Sequence, residues 1–515
     1  MNQLEAIIKE LIKSRAKTQA DLARAKRKAS EKYGLPFPNN IILLKTYHEL
    51  VKNKRVKPQE KVRSLLRTRP VRSLSGIVNV SVLTKPYKCP GKCLFCPIQK
   101  GAPKSYLSNE PAVMRAILNR YDPYKQTKMR LQALADAGHP TDKVELRIIG
   151  GTFSYYPEKY KTWFVKRCFD ACNKKNSSTI TKAQIINEKA KHRIIGLSIE
   201  TRPDFINPKE IKRLRRLGAT SVELGVQSIY DDVLKLNRRG HAIRETIKAT
   251  QLLKDAGFKI LYQMMPNLPG STPKRDEHMF RELFSNQAFQ PDWLKIYPCA
   301  LLKEAPLYEF WQKKKYRPYT NSQLVNLVKS IKKKIPYYVR IQRITRDIPQ
   351  QSIVSGPAKI SNLRQILATQ SKTEGWLCSC IRCREVKEDY NAKEKLYLFR
   401  QEYEASNGKE IFLSFENKKR TKLYSLLRLR LTSQNKAFIR EIHTYGQQLS
   451  FGQNSLNNLS PQHKGLGKKM MKEAERIVKK KFKLNELIVI SGVGVRGYYK
   501  KIGYHLFDAY MVKRI

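Results

Sequence analysis

The sequence predicts an α/β protein: an incomplete (β/α)6 barrel, then a smaller α/β domain, with a basic helical segment in front. Three observations predict it. From residue 76 to about 345, short β-rich runs alternate with amphipathic stretches, the pattern of a parallel sheet with helices outside it. Polar, glycine-containing motifs follow these runs, where a β/α barrel gathers its chemistry. After residue 391 the rhythm changes to strand-like runs around a single long helix, which marks off a second domain.

Taken in order, residues 1–75 form the N-terminal segment. Leu4, Ile7, Ile8, Leu11 and Ile12 recur at helical spacing, so 1–35 reads as one or two basic helices. Leu35-Pro36-Phe37-Pro38 breaks that pattern. The stretch 40–73 reads as helical and ends in the arginine-dense run 63–72, expected to contact phosphate and not only to present a solvated face. In 76–345 the expected strands are 77–83, 144–149, 194–199, 222–226, 259–264 and 293–297. Residues 346–390 form a connector. In 391–515 strand-like runs at 395–404, 409–415, 427–431 and 437–443 precede a helix at 465–481 and a strand at 486–490. The stretch 447–460, rich in Asn, Gln and Ser, is expected to be a loop.

Charge narrows the function classes. Lys and Arg number 102 against 43 Asp and Glu, a net charge of +59 spread along the whole chain. Such an excess repels itself unless a polyanion screens it, and nucleic acid is the first candidate. No apolar run approaches the length of a membrane span, and no secretory signal is visible. Six of the nine cysteines sit in two tight groups, which suits metal in a reducing, cytoplasmic setting better than disulfides.

Cys89-Pro-Gly-Lys-Cys93-Leu-Phe-Cys96 follows the first expected strand. Three thiolates on one loop can hold three irons of a [4Fe–4S] cluster and leave the fourth open for S-adenosylmethionine. A structural zinc ion ordinarily takes four ligands, so this triplet favours the cluster. Gly150-Gly151-Thr152-Phe153, Glu200-Thr201-Arg202-Pro203-Asp204, Glu223-Leu-Gly-Val-Gln227-Ser228 and Pro266-Asn-Leu-Pro269-Gly270 each follow a later strand. Gly150, Gly151, Thr152, Glu200, Arg202 and Gln227 are the expected cofactor-binding residues. Cys378-Ser-Cys380-Ile-Arg-Cys383 is a second group, for which zinc is the simplest occupant, with a fourth ligand open among Cys168, Cys172, Cys299, a His or an Asp. Cys168 and Cys172, one helical turn apart, read as core residues.

Gln462-His463-Lys464-Gly465-Leu466-Gly467-Lys468 opens the long C-terminal helix. A Q-x-x-G-x-G turn there offers backbone N–H groups and a positive helix end to a pyrophosphate. Tyr498-Tyr499-Lys-Lys-Ile-Gly503-Tyr504 follows a strand and turn and resembles the arm that closes a thioester site in the GNAT acetyltransferase fold, which implies Tyr498 and Tyr499 as the candidate catalytic tyrosines at an acetyl group.

The cysteine triplet and strand-end motifs resemble the radical S-adenosylmethionine superfamily, and the C-terminal motifs resemble the GNAT acetyltransferase fold. Together with Arg69-Pro-Val-Arg72, Thr84-Lys85-Pro86, the segment 138–146, Arg238-Arg239-Gly240-His241, Cys380–Val386 and His443-Thr-Tyr445-Gly446, the wording is similar to the catalytic subunit of Elongator and its single-chain prokaryotic relatives. The likeness runs from about residue 67 to 515. It departs in reading Gly-Gly-Thr-Phe where the superfamily often has Gly-Gly-Glu. The resemblance implies carboxymethylation of the tRNA wobble uridine. Acetyl-CoA binds the C-terminal domain, a deoxyadenosyl radical takes a methyl hydrogen from it, the carbon radical adds to uridine C5, and the thioester is hydrolysed. It also implies Lys85 among the cofactor-binding residues, the tRNA anticodon stem-loop and an electron donor as partners, and either a homodimer or accessory subunits. The alternative is a protein lysine acetyltransferase with a structural iron–sulfur domain.

Overall fold

The computed structural model describes residues 3–449 and 460–515. Most of the loop expected at 447–460 lies outside the described residues.

The N-terminal segment is more than a basic arm. Four helices, Gln3–Lys13, Gln19–Lys32, Asn40–Lys52 and Glu60–Leu66, bury Ile7, Leu11, Leu22, Leu43, Leu50 and Leu66 in a core of their own. Thr18 and Asp21 close a capping box at the second helix, and Asn39 caps the third, so each start is fixed locally.

The barrel is an open sheet of seven parallel strands in sequence order: β1 (Val78–Leu83), β2 (Lys143–Ile149), β3 (Arg193–Thr201), β4 (Ser221–Gln227), β5 (Lys259–Met264), β6 (Trp293–Ile296) and β7 (Arg340–Arg343). The six expected strands are all present. The seventh is short, basic and bulged, which explains why an apolar β pattern does not reveal it. Outward residues such as Val80, Leu146, Ile199, Leu224 and Ile260 pack under the helices with Phe164, Leu214 and Leu253. Cys168 and Cys172 belong to that core, as expected. The inward residues are polar: Arg147, Glu200, Gln263 and Lys295 line the interior, and Glu223 pairs with Arg147 and Lys295.

The second domain is a mixed sheet of seven strands: β8 (Tyr397–Ala405), β9 (Gly408–Glu416), β10 (Leu423–Leu431), β11 (Ala437–Thr444), β12 (Glu486–Val489), β13 (His505–Phe507) and β14 (Tyr510–Arg514). The helix Leu466–Phe482 crosses from β11 to β12, which pair in parallel only at Phe438–Ile488 and Ile439–Val489. β11 then continues to Thr444 without β12 beside it, so the sheet splays open next to the start of that helix.

The domains meet at the N-terminal ends of the barrel strands. Asp292, just before β6, accepts hydrogen bonds from Arg440 (2.8 Å) and the Ile260 N–H (2.9 Å). Lys259 at the start of β5 pairs with Glu441 at 2.9 Å. Arg430 reaches Asp255 and Glu410, and Lys254 faces Glu410. Ahead of β1, the Ser75 carbonyl lies 2.7 Å from His443 Nε2. Among the described residues, no helix is long and apolar enough to cross a membrane.

Candidate active site

One cavity of about 760 Å³ runs through the barrel. Cys89, Cys93 and Cys96 line it beyond the C-terminal ends of the strands. His443 and Tyr445 of the second domain line it where that domain meets the N-terminal ends.

The cysteine loop has no regular structure and is tied down from outside. The Leu94 N–H donates to the Asn237 carbonyl (3.1 Å), the Leu94 carbonyl accepts from Leu307 (2.8 Å), and Lys104 Nζ donates to the Gly91 carbonyl (3.0 Å). Cys93 and Cys96 are buried and Cys89 half-buried. Arg239 donates to Cys93 Sγ at 3.5 Å, and Ser105 Oγ lies 3.2 Å from Cys96 Sγ. Burial pushes the Cys96 thiol up to about 11, so this group stays protonated near neutrality unless a metal displaces the proton. Arg202 spends Nε and Nη2 on Asp204 at 2.9 Å each. Its Nη1 is buried without a partner among the described residues and fills the space a side chain on Gly91 would need. The donor set and this orphaned guanidinium N–H suit an anionic group on the loop.

Gly150, Gly151 and Thr152 face the loop from the end of β2, with Thr152 Oγ1 4.0 Å from Cys89 Sγ. Gly150 has φ +130°, and a side chain there would overlap Thr84, so only glycine fits. Glu200 accepts from Tyr106 (2.9 Å) and Gln263 (3.1 Å) and lies 3.4 Å from Lys295 Nζ. Lys295 and Arg147 both pair with Glu223. Burial works against ionising Glu223, but these two cations hold its carboxyl well below the usual range. Gln227, with φ +74°, turns its chain into the cavity at the end of β4.

Arginines Arg69, Arg72, Arg115 and Arg130 line one lip of the open seam between β1 and β7, and Arg343, Arg382 and Lys387 line the other. Arg130 is lowered to about 10 by burial and by Arg72, Arg115 and Arg69, so the first lip is a concentration of like charge.

In the second domain, Gly465 has φ +81°, with open space where a side chain would be, and starts the helix Leu466–Phe482 without a side-chain cap. Tyr498 lies over this first turn: its hydroxyl is 3.3 Å from where a Gly467 side chain would begin, and is buried without a partner among the described residues. Cys378, Cys380 and Cys383 converge with all three sulfurs within 4.8 Å, a grouping that could hold a metal ion. No fourth His, Cys, Asp or Glu joins that group among the described residues.

Residues 84–283 match the Radical SAM superfamily, and 291–374 the Radical SAM C-terminal domain. A protein of Methanocaldococcus infernus named tRNA uridine(34) acetyltransferase is 43% identical over 99% of this chain and 98% of its own. Human Elongator complex protein 3 is 37% identical over 99% of this chain and 96% of its own. The chain belongs to the Elongator complex protein 3 family. A solved structure of the archaeal Methanocaldococcus infernus Elp3, lacking its N-terminus, superposes with a TM-score of 0.76 at 42% identity, covering 86% of this chain and all of that one. Membership in this family implies a [4Fe–4S] cluster and S-adenosylmethionine.

Within the Elongator complex protein 3 frame, the expected residues separate into three groups. The three N-terminal cysteines, Gly150, Gly151, Thr152, Glu200, Arg202 and Gln227 share one cavity. Lys85 does not line it, and its ammonium instead sits 5.1 Å over the Tyr160 ring. In the third group, Gln462 is a clasp: it donates to the Gly76 (3.2 Å) and Thr444 (3.0 Å) carbonyls and accepts from Lys143 (3.0 Å). His463 Nε2 is 3.2 Å from Lys143, and Lys464 lies over Tyr390. Leu466 and Lys468 belong to the first helical turns. Tyr499 is a core aromatic between Tyr498 and Tyr504.

Sequence reasoning missed Arg115, Arg130 and Lys295. Lys295 carried a signal, a lysine in the middle of an apolar strand, which only an inward, paired position explains. Arg115 lies in Met114-Arg115-Ala116, part of the family resemblance but with no role assigned, and Arg130 carried no signal, because only the tertiary fold turns them toward Arg69 and Arg72.

Proposed function

We propose that this chain carboxymethylates the wobble uridine of tRNA, with acetyl-CoA as the carbon source. The observation that carries the reading is the single cavity lined by the cysteine triplet and by His443 and Tyr445 of the second domain. A route inside the barrel suits a reaction whose two halves occur in different domains. The names of the relatives, tRNA uridine(34) acetyltransferase among them, point the same way.

Cys89, Cys93 and Cys96 hold the cluster, and Gly150, Gly151, Thr152, Glu200, Arg202 and Gln227 hold S-adenosylmethionine. When bound, this pair supplies one-electron chemistry able to make a carbon radical, which suits C5 of uridine, a weak nucleophile. The chain's own part is placement. Arg202 and the Gly150 turn fix charged groups at the rim, the Glu200–Lys295–Glu223 network keeps the wall rigid and polar, and burial keeps bulk water out. Cys378, Cys380 and Cys383 would hold zinc. The backbone of 464–468 holds the acetyl-CoA pyrophosphate, with Tyr498 as the tyrosine nearest the acetyl group and Tyr499 supporting it from the core. Gln462 positions this loop through its side chain. The protein lysine acetyltransferase alternative leaves the polar barrel interior without a purpose.

The test is mass spectrometry of nucleosides from uridine-34 tRNA incubated with reconstituted protein, S-adenosylmethionine, dithionite and acetyl-CoA. Carboxymethyluridine is expected, and its absence with intact cluster and bound tRNA would overturn the reading. Gly465→Asp strains a left-handed position and places a carboxylate at the anion site. It should weaken acetyl-CoA binding by more than about tenfold in calorimetry while the cluster's absorbance is unchanged. Changing Arg69, Arg72, Arg115 and Arg130 together to Gln should weaken tRNA binding. The slope of log affinity against log salt should shrink by about 0.7–0.9 for each phosphate left without its cation. Arg67 is left out of that set, since it is buried and donates to the Gly138 carbonyl.

A further inference from the structure

Most charged groups on the inner wall are paired: Lys295 and Arg147 by Glu223, Arg340 by Glu385, Arg343 by Asp347. The cavity-lining residues with a buried side-chain atom that has no partner among the described residues fall into two sets. Thr201 Oγ1, Arg202 Nη1 and Arg239 Nε belong to the cysteine-loop end, where cluster and S-adenosylmethionine account for them. Trp293 Nε1 and Gln342 Oε1 do not belong there. Trp293 is the first residue of β6, and Gln342 is the one residue of β7 bulged out of register, between the partners of Leu294 and Lys295.

The two atoms are complementary, one donor and one acceptor on neighbouring strands. The indole is held in place: Lys259 Nζ lies 3.9 Å from its ring centre and the Arg340 guanidinium 5.8 Å. An indole N–H can only donate, whereas a glutamine amide can turn to present either group. Leaving either unmade in a buried wall is costly, so each is open to a complementary polar group of a ligand.

We infer that Trp293 and Gln342 read the target base, Trp293 donating to the 4-carbonyl of uracil and Gln342 accepting from its N3–H. This rests on the proposed function for the identity of the RNA. Cytosine presents an amino group at that 4-position, so donor would meet donor at Trp293. Holding the O4–N3 edge leaves the C5–C6 edge free for bond formation. The arginine lip at the seam would hold the flanking phosphates.

The test is equilibrium binding of two fluorescent anticodon stem-loops, identical except for uridine or cytidine at position 34, to the full chain. The wild type is expected to prefer uridine by about tenfold, the worth of one specific base contact. Trp293→Phe keeps an aromatic ring in the wall and removes the one polar group, the N–H; it should bring the two affinities together while binding of the cytidine stem-loop stays unchanged. Gln342→Leu should lower uridine affinity in the same way. Equal affinities in the wild type, or an unchanged preference in both variants, overturn the base site. A wild type that keeps the preference but makes no carboxymethyluridine would support the site and sink the reaction proposed above.

Discussion

Cys93→Ser is expected to reduce S-adenosylmethionine cleavage and tRNA modification to background. Cys93 is buried beneath the cavity and faces Arg239, with Cys89 and Cys96 on the same short loop. A serine hydroxyl ionises far less readily than a thiol, so one corner of the cluster would lose its ligand and the iron would become labile. The polypeptide around it should tolerate the change, because the loop is tied by backbone hydrogen bonds from Leu94 to Asn237 and Leu307. Iron and sulfide content, the visible absorbance and 5′-deoxyadenosine formation should fall together, while tRNA affinity stays close to wild type. Full 5′-deoxyadenosine formation in the variant would exclude this loop as the cluster site.

Asp292→Ala should be the most destabilising single change at the junction of the two domains. Its carboxylate is fully buried, with Arg440 at 2.8 Å and Arg428 at 3.4 Å. Removing it leaves Arg440 with Glu410 alone and Arg428 with Glu441 alone, a buried excess of positive charge, at a cost of roughly 3–5 kcal/mol. Thermal unfolding followed by circular dichroism measures it. A melting temperature equal to wild type would mean that the cluster of charges is not what fixes the interface. A double variant that also replaces Arg440 with Leu should recover part of the loss, since it removes the excess buried positive charge.

The same group predicts acid sensitivity. Burial alone would raise the Asp292 carboxyl, but Arg440 and Arg428 hold it below its ordinary value. A depressed folded value means that protons bind the unfolded chain more readily. The contribution is therefore fully present above the unfolded value of about 4 and is lost as pH falls below it toward the folded value. Asp292→Asn should flatten that part of the stability–pH curve.

Local signals make much of the site legible. The C-x3-C-x2-C loop and the turns after β2, β3 and β4 are contiguous in sequence, and strand polarity alone brings them to one rim. What stays hidden depends on long-range placement. Leu427-Arg428-Leu429-Arg430-Leu431 looks like a strand with one wet face, yet both arginines are buried because Asp255 and Asp292 meet them from the barrel and Glu410 and Glu441 from the flanking strands β9 and β11. Gln462 looks like part of a ligand loop, and its amide instead joins β11 to the start of the barrel. The N-terminal helices show their apolar spacing, but not that four of them close on a shared core.

In most β/α barrels the rim at the strand N-termini carries no function, and loops there can lengthen freely between lineages. Here that rim is occupied. The starts of β1, β2, β5 and β6, at Ser75 and Asp292 just ahead of their strands and Lys143 and Lys259 at the first strand residue, are the seats on which the second domain rests. An insertion harmless in another barrel would lift that domain off and widen the gap between the two chemistries. Length variation in this family should therefore gather on the outer helices and the N-terminal segment, and the short turns beneath the sheet should keep their length.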